Sequence, residues 1–350
     1  MRRGKAIALV SGGLDSTLAV ALVRRQGIEV KAINFYTGLC ITETQRRKGG
    51  RADGTIPRNE ALRAAADLEV EIEYVDLSGP AYLDMLVHPR WGYGANANPC
   101  VDCRIFMMRR AREIMEAEGA DFVFTGEVLG QRPKSQRRDT LRTVEREGGL
   151  DGRLLRPLSA KLLPPTIPEN EGIVDRERLE SISGRSRKRQ MELARELGIE
   201  DWPQPAGGCC YLTDESFARK FFDVLDAREA AGAGRRLDQE DVILLSTGRH
   251  FRLSRTAKLV VARTEVENAL LEHHVEGRAR LEATDVSGPI AVVEGAASRE
   301  ERVLAARIVA RYGKGKDLPS VVVEWREGDA VESYEVEPER DERRIEAMRI

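Results

Sequence analysis

The sequence predicts an α/β protein, a parallel sheet with helices on both faces, followed by a second, smaller α+β domain. Three observations predict it. Short apolar runs alternate with amphipathic stretches through the amino-terminal part, the pattern left by strand–helix–strand crossovers. At 350 residues the chain exceeds the size at which a single core usually keeps growing. A run of small residues, Ala230 to Gly234, then separates this alternation from a later mixture of strands and helices, which puts the domains at 1–228 and 235–350.

The elements follow in order. Lys5 to Val10 reads as a short buried strand, and Ser16 to Arg25 as a helix with Leu18, Ala21 and Leu22 on one side. A strand over Val30 to Phe35 is followed by a polar loop through Gly54. Next come a helix over Pro57 to Leu68, a strand over Val70 to Asp76, a helix over Arg104 to Glu118 and a strand over Asp121 to Thr125. Beyond Gly148, four prolines (Pro157, Pro164, Pro165, Pro168) break up long elements until a basic helical stretch from Ser186 to Leu197. The Pro203 to Gly208 turn leads into a cysteine pair, and Thr213-Asp214-Glu215-Ser216 supplies a cap for a helix to about Ala227. In the second domain, Val242 to Leu245, Lys258 to Arg263, Ile290 to Glu294 and Ser320 to Trp325 read as strands. Thr264 to Leu271 and Ser298 to Arg311 read as helices.

Bulk properties narrow the function classes. With 41% hydrophobic and 33% charged residues the chain is neither disordered nor a membrane protein, and the apolar run Ala6 to Val10 is too short for a signal peptide, so a cytoplasmic location is expected. A net charge of −2 gives no global case for nucleic acid. Local segregation does exist: Arg132, Lys134, Arg137, Arg138 and Arg142 crowd one stretch, and Arg185, Arg187, Lys188 and Arg189 another. Each reads equally as an RNA surface or as a solvated face. Five cysteines do not make a secreted disulfide framework, and in a reducing compartment their spacing points to metal binding or chemistry.

Three motifs carry that chemistry. In Ser11-Gly12-Gly13-Leu14-Asp15-Ser16, a glycine pair between a buried strand and a helix start turns backbone N–H groups and the positive end of the helix dipole toward an anion. It is not a Walker loop, since no G-x-x-x-x-G-K-[ST] occurs; S-G-G-x-D-S instead resembles the PP-loop of ATP pyrophosphatases. The second motif, Asn98-Pro99-Cys100-Val101-Asp102-Cys103, stands just before a helix, where the dipole favours the thiolate that serves as nucleophile or metal ligand. Half of a structural zinc site is the other reading, but the remaining ligands are missing apart from His273-His274 in the other domain. Cys100, Cys103 and one of Cys209 and Cys210 would suit an iron–sulfur cluster with one open iron. The third motif, Thr125-Gly126-Glu127-Val128-Leu129-Gly130-Gln131 with Ser135-Gln136, follows a strand at the sheet edge where a nucleotide pocket is expected.

Taken together with Pro205-Ala206-Gly207-Gly208-Cys209 and Thr213-Asp214, these motifs resemble the PP-loop tRNA thiouridine synthases of the ThiI-like and MnmA-like group, over residues 1 to about 225. Arg156-Pro157-Leu158-Ser159-Ala160-Lys161 and Gly184-Arg185-Ser186-Arg187-Lys188 belong to the same likeness. The resemblance implies a HUP-like fold, ATP and Mg2+ at Ser11, Gly12, Gly13, Asp15 and Ser16, and further nucleotide contacts from Asn34, Thr125, Gly126 and Gln131. It implies catalytic roles for Asp15, Cys100, Cys103 and Cys209, the three cysteines holding a [4Fe-4S] cluster or passing sulfur as a persulfide received from a donor. Cys210 falls where the pattern has an apolar residue and, like Cys40, is left without a role.

The first strand begins too close to Met1 to leave room for an amino-terminal THUMP domain. Phe251-Arg252-Leu253-Ser254 with Lys258 to Asn268 resembles the NFACT-type RNA-binding module instead. The implied tRNA contacts are Arg132, Lys134, Arg137, Arg138, Arg185, Arg187, Lys188, Arg252 and Lys258; a homodimer built through the second domain is the alternative use of that domain. The expected activity is adenylation of a uridine carbonyl with release of pyrophosphate, then replacement of oxygen by sulfur. Transfer of nitrogen by a PP-loop amidotransferase or ligase, and nucleotide-gated RNA binding without turnover, are the rivals.

Overall fold

The computed structural model describes residues 4–47, 58–203 and 210–350. They fall into two compact units, one ending at Cys210 and the other beginning at Tyr211.

In the first unit, β1 (Lys5–Leu9) leads through the glycine loop into α1 (Leu14–Arg24), followed by β2 (Glu29–Tyr36), α2 (Ile41–Arg47), α3 (Glu60–Asp67), β3 (Glu71–Asp76) and α4 (Pro80–Val87). Then come α5 (Cys100–Ala117), β4 (Phe122–Thr125), α6 (Arg138–Glu147), the short β5 (Leu154–Leu155), α7 (Ile167–Asn170) and α8 (Lys188–Leu197). The strands make a parallel sheet in the order β3-β2-β1-β4-β5. Strand order reverses direction at β1, so the carboxyl ends of β1 and β4 flank a crevice, the usual place for a ligand in such sheets. Ala6, Ala8, Phe122 and Phe124 pack one face, and Ile7, Val123 and α5 residues Ile105, Met108 and Ala111 pack the other. Residues buried on both faces explain why these strands read as continuous apolar runs.

The second unit opens with α9 (Glu215–Ala230) and α10 (Gln239–Leu245) and continues through β6 (Arg249–Arg252), β7 (Lys258–Val261), α11 (Glu265–Glu272), β8 (Ala279–Ala283) and β9 (Ala291–Glu294). It ends with α12 (Arg299–Tyr312), β10 (Val321–Glu327), β11 (Ala330–Val336) and α13 (Glu342–Met348). The strands form a six-stranded antiparallel sheet in the order β11-β10-β8-β9-β7-β6. Alternation along β7 sends Leu259 and Val261 into the core shared with α12, and Val260 into the core shared with α10 and α11.

Two expectations change here. Val242 to Leu245 is not a strand but the end of α10, whose start is closed by a reciprocal cap between Asp238 and Asp241. Helix α9 belongs with the second unit, because Arg228 grips Asp241 at 2.6 and 2.7 Å and Arg252 is paired with Asp223. The division therefore comes earlier in the chain than the small-residue run at Ala230 to Gly234.

Candidate nucleotide and sulfur site

The glycine loop after β1 is built by close backbone approach. Gly12 has φ +78°, and a Cβ there would stand 2.2 Å from the Glu60 carbonyl carbon and 2.4 Å from the Ala61 nitrogen, so only glycine lets the loop lie against the start of α3. Gly13 caps α1 in extended conformation, and its carbonyl accepts from the Ser16 hydroxyl at 2.9 Å and the Thr17 hydroxyl at 3.1 Å. The Ser11 and Ser16 hydroxyls lie 3.4 Å apart, and the Gly13 N–H points at Ser11 Oγ at 3.4 Å. The first N–H groups of a helix have no intrahelical acceptor, so the loop from Ser11 to Ser16, with the dipole of α1 behind it, has the arrangement that suits an anion.

Strand β4 delivers the third motif to this loop. A Cβ on Gly126 would lie 2.5 Å from both the Asp15 carbonyl carbon and the Ser16 nitrogen, so Gly126 packs directly on that peptide. Gln131 donates its side-chain amide to Asp15 Oδ2 at 2.9 Å, while Asp15 Oδ1 is buried without a hydrogen-bond partner. A buried carboxylate oxygen left over in this way fits one ligand of Mg2+, a hard cation that takes oxygen donors and usually shares them with phosphates. Asn34 on β2 donates to the Val10 carbonyl at 2.7 Å; its amide fixes the chain at the entrance to the glycine loop. The Thr125 hydroxyl is turned onto Glu127.

Glu127 is the hinge of the arrangement and was not assigned a role from sequence. Its carboxylate is 5% exposed and lies between the guanidinium groups of Arg104 and Arg156, the latter at 3.1 Å. Burial pulls the Arg156 guanidinium below its ordinary pKa, against the opposing pull of Glu145 at 2.9 Å. Arg104 directly follows Cys103 in α5, so the ion pair ties the first turn of the cysteine helix to the loop that touches Asp15. Cys100 and Cys103, three apart, share a helix face, whereas Asp102 turns inward and accepts from the Arg90 and Trp91 N–H groups at 2.8 and 3.2 Å.

Behind the cysteine helix, the buried Tyr82 hydroxyl meets Cys103 Sγ at 3.2 Å. Burial first, then the Cys103 and Cys210 thiols, push the Tyr82 phenol well above its ordinary pKa. Cys210 is thus near enough to Tyr82 to bear on its charge; Cys209 lies outside the described residues, as do Pro205 to Gly208. Among the described residues no group of three or more His, Cys, Asp or Glu side chains is arranged to hold a metal ion, so two of the three expected cluster ligands, Cys100 and Cys103, are in view.

The two basic stretches prove to be neighbours. Leu129 pairs with Ser183 in a parallel bridge, the Gly184 N–H donates to the Leu129 carbonyl at 2.8 Å, and the Gly130 N–H donates to the Gln136 carbonyl at 2.7 Å. Exposed Arg132, Lys134, Arg137 and Arg138 therefore spring from one loop and exposed Arg185 and Lys188 from the loop bonded to it; Arg187 is half-buried. Gln190 on α8 is fully buried with both amide atoms unpartnered, and Gln136 keeps a buried, unpartnered Oε1. Gln190 falls inside a run that reads as plain basic helix, and only its burial marks it.

In the second unit the expected contacts are corrected. Lys258 is 2% exposed and its ammonium meets Glu294, directly opposite on β9, at 2.6 Å. Arg252 is held by Asp223 on α9. Lys258 is spent inside the fold and the phosphate contact expected of it is not open, whereas Arg252 is paired but still partly exposed.

Residues 1–161 match the family described as thiamine biosynthesis protein (ThiI), and residues 248–348 match the NFACT protein RNA binding domain. Two family models thus match in tandem, so the chain is similar to the ThiI family at its amino-terminal end and to the NFACT RNA binding domain at its carboxyl-terminal end. The chain is similar over 124 residues to a tRNA-specific 2-thiouridylase MnmA of Syntrophotalea carbinolica, 32% identical, covering 34% of this chain and 33% of that protein. A 7-cyano-7-deazaguanine synthase of Rhodopirellula baltica is 36% identical over 81 residues, 23% and 30% of the two chains. A probable tRNA sulfurtransferase of Thermococcus kodakarensis is 28% identical over 142 residues, 37% and 31% of the two chains. The chain thus spans about a third of the length of the curated relatives it matches. Among the described residues no helix is long and apolar enough to cross a membrane.

Proposed function

We propose that the chain thiolates tRNA at the expense of ATP. The observation that carries this reading is the tie from Asp15 through the β4 loop to the cysteine helix: Gly126 lies on the Asp15–Ser16 peptide, and Glu127 pairs with Arg104 beside Cys103. One loop thereby touches both the glycine loop and the cysteine helix, which supports coupling of adenylation to sulfur transfer.

In this mechanism ATP binds with its β- and γ-phosphates against Ser11 to Ser16. A uridine carbonyl oxygen attacks the α-phosphorus, and pyrophosphate leaves toward the backbone N–H groups and the dipole of α1. Asp15 would hold Mg2+, which when bound neutralises charge on the departing phosphates. Gln131 keeps the Asp15 carboxylate turned into the site. A sulfur nucleophile then adds to the activated carbon and AMP departs. In this reading Cys100 and Cys103 handle the sulfur, either as would-be ligands of a [4Fe-4S] cluster with Cys209 or by carrying a persulfide received from a sulfur donor. The basic surface formed by the paired loops takes the tRNA backbone, together with the NFACT domain.

The likeness to a 7-cyano-7-deazaguanine synthase supports a second reading, the same adenylation followed by nitrogen transfer. Incubation with ATP and unmodified tRNA separates the readings. Pyrophosphate release that requires tRNA, with thionucleoside in the product by mass spectrometry, is expected; ATP binding without release, or release without thiolation under reducing conditions with sulfide, overturns the proposal. Asp15→Ala should abolish release, whereas Cys100→Ala should block thiolation while release continues.

A further inference from the structure

Two cysteines remain that this mechanism does not use, and the fold brings them face to face. Cys40 lies between β2 and α2, after the buried Leu39, and Cys210 lies opposite it in an antiparallel bridge. Residues directly opposite in such a bridge have Cα atoms about 4.5 to 5.5 Å apart. That range falls inside the roughly 4.4 to 6.8 Å spanned by disulfides. The two are separated in sequence by most of the first unit, and both are half-buried thiols, so a small reagent can reach them although the backbone fixes their spacing.

We propose that Cys40 and Cys210 are a redox-modification site, closing to a reversible disulfide with a low-molecular-weight disulfide as oxidant. The Cys40 thiolate attacks the small disulfide, forming a mixed disulfide and expelling one thiolate. The Cys210 thiolate then attacks the Cys40 sulfur and expels the second. The two cysteines lose two electrons and two protons, and the oxidant is reduced to two thiols; a reducing dithiol reverses the exchange. Closure fastens the loop after β2 to the residue next in sequence to Cys209. The site stands whether or not the substrate is tRNA.

The test is oxidation of the full-length protein with glutathione disulfide, followed by non-reducing digestion and mass spectrometry. The expected product is a Cys40–Cys210 cross-linked peptide lighter by two hydrogens, lost on treatment with dithiothreitol. It should persist in Cys209→Ser and in the Cys100→Ser/Cys103→Ser double variant and vanish in Cys40→Ser and Cys210→Ser. In Cys40→Ser, Cys210 should instead carry a glutathione adduct. Pairing of Cys210 with Cys103, Cys100 or Cys209 in the unsubstituted protein overturns the proposal. So does a Cys40 that stays a thiol while Cys210 is oxidised, and so do two thiols that both remain reduced when the Cys100–Cys103 pair has reacted.

Discussion

At the scale of single residues, the glycine loop separates two roles that its sequence makes look alike. Gly12 combines a left-handed φ of +78° with backbone atoms of α3 inside the space of any Cβ, whereas Gly13 is extended and a Cβ would meet only Ser11 Oγ, at 3.5 Å. Gly12→Ala must therefore either strain the loop or push α3 away, at a cost of about 1–3 kcal/mol, and should lose ATP binding by calorimetry. Gly13→Ala should melt within about 0.5 kcal/mol of the parent protein, since it adds an ordinary contact. Equal destabilisation by the two substitutions would show that backbone approach to α3 is not what selects glycine. The glycine pair was legible as an anion site, but which glycine the fold depends on was not, because the deciding atoms belong to Glu60 and Ala61, far along the chain.

At the scale of elements, the cysteine helix is held by an ion-pair chain rather than by its apolar face alone. Glu127 is buried between Arg104 on α5 and Arg156 ahead of the proline-rich stretch, and removing its charge takes a shared carboxylate from both, leaving Arg156 to Glu145. Breaking a buried pair from one side costs about 3–5 kcal/mol, so Glu127→Ala should lower the unfolding free energy, read from urea titration, by that amount. Glu127→Gln, which keeps the hydrogen-bond acceptor, should lower it less; a loss under about 1 kcal/mol for Glu127→Ala would mean that the guanidiniums find other partners. The sequence displayed Glu127 inside a recognisable motif but not its partners, since nothing local links Arg104, Glu127 and Arg156. The opposite error occurred at Val242 to Leu245, where a four-residue apolar run is too short to distinguish strand from helix. There the deciding signal was present just upstream, in the Asp238 and Asp241 spacing of a capping box.

At the scale of the whole molecule, alternation of strands and helices made the parallel sheet readable, because buried parallel strands are continuous apolar runs, and the crevice at the ends of β1 and β4 followed from that topology. Charge was less readable. Basic runs show in sequence, but whether a cation faces water depends on tertiary partners, and those removed Lys258 from the surface and tied Arg252 to Asp223 while leaving Lys134, Arg137, Arg185 and Lys188 exposed. With a formal net charge of −2, binding to a polyanion must rest on such local patches. Each phosphate neutralised contributes about 0.7 to 0.9 to the slope of log affinity against log salt. Changing Lys134, Arg137, Arg185 and Lys188 together to Gln should therefore flatten the slope for tRNA by up to about 3, measured by filter binding across a salt series, with ATP affinity unchanged. Lys258→Gln should leave the slope as it is and instead lower the melting temperature, since it strands the Glu294 carboxylate inside the second unit. If the fourfold substitution leaves the slope intact while Lys258→Gln flattens it, the phosphate grip belongs to the NFACT sheet, and the paired loops beside the glycine loop are a solvated face.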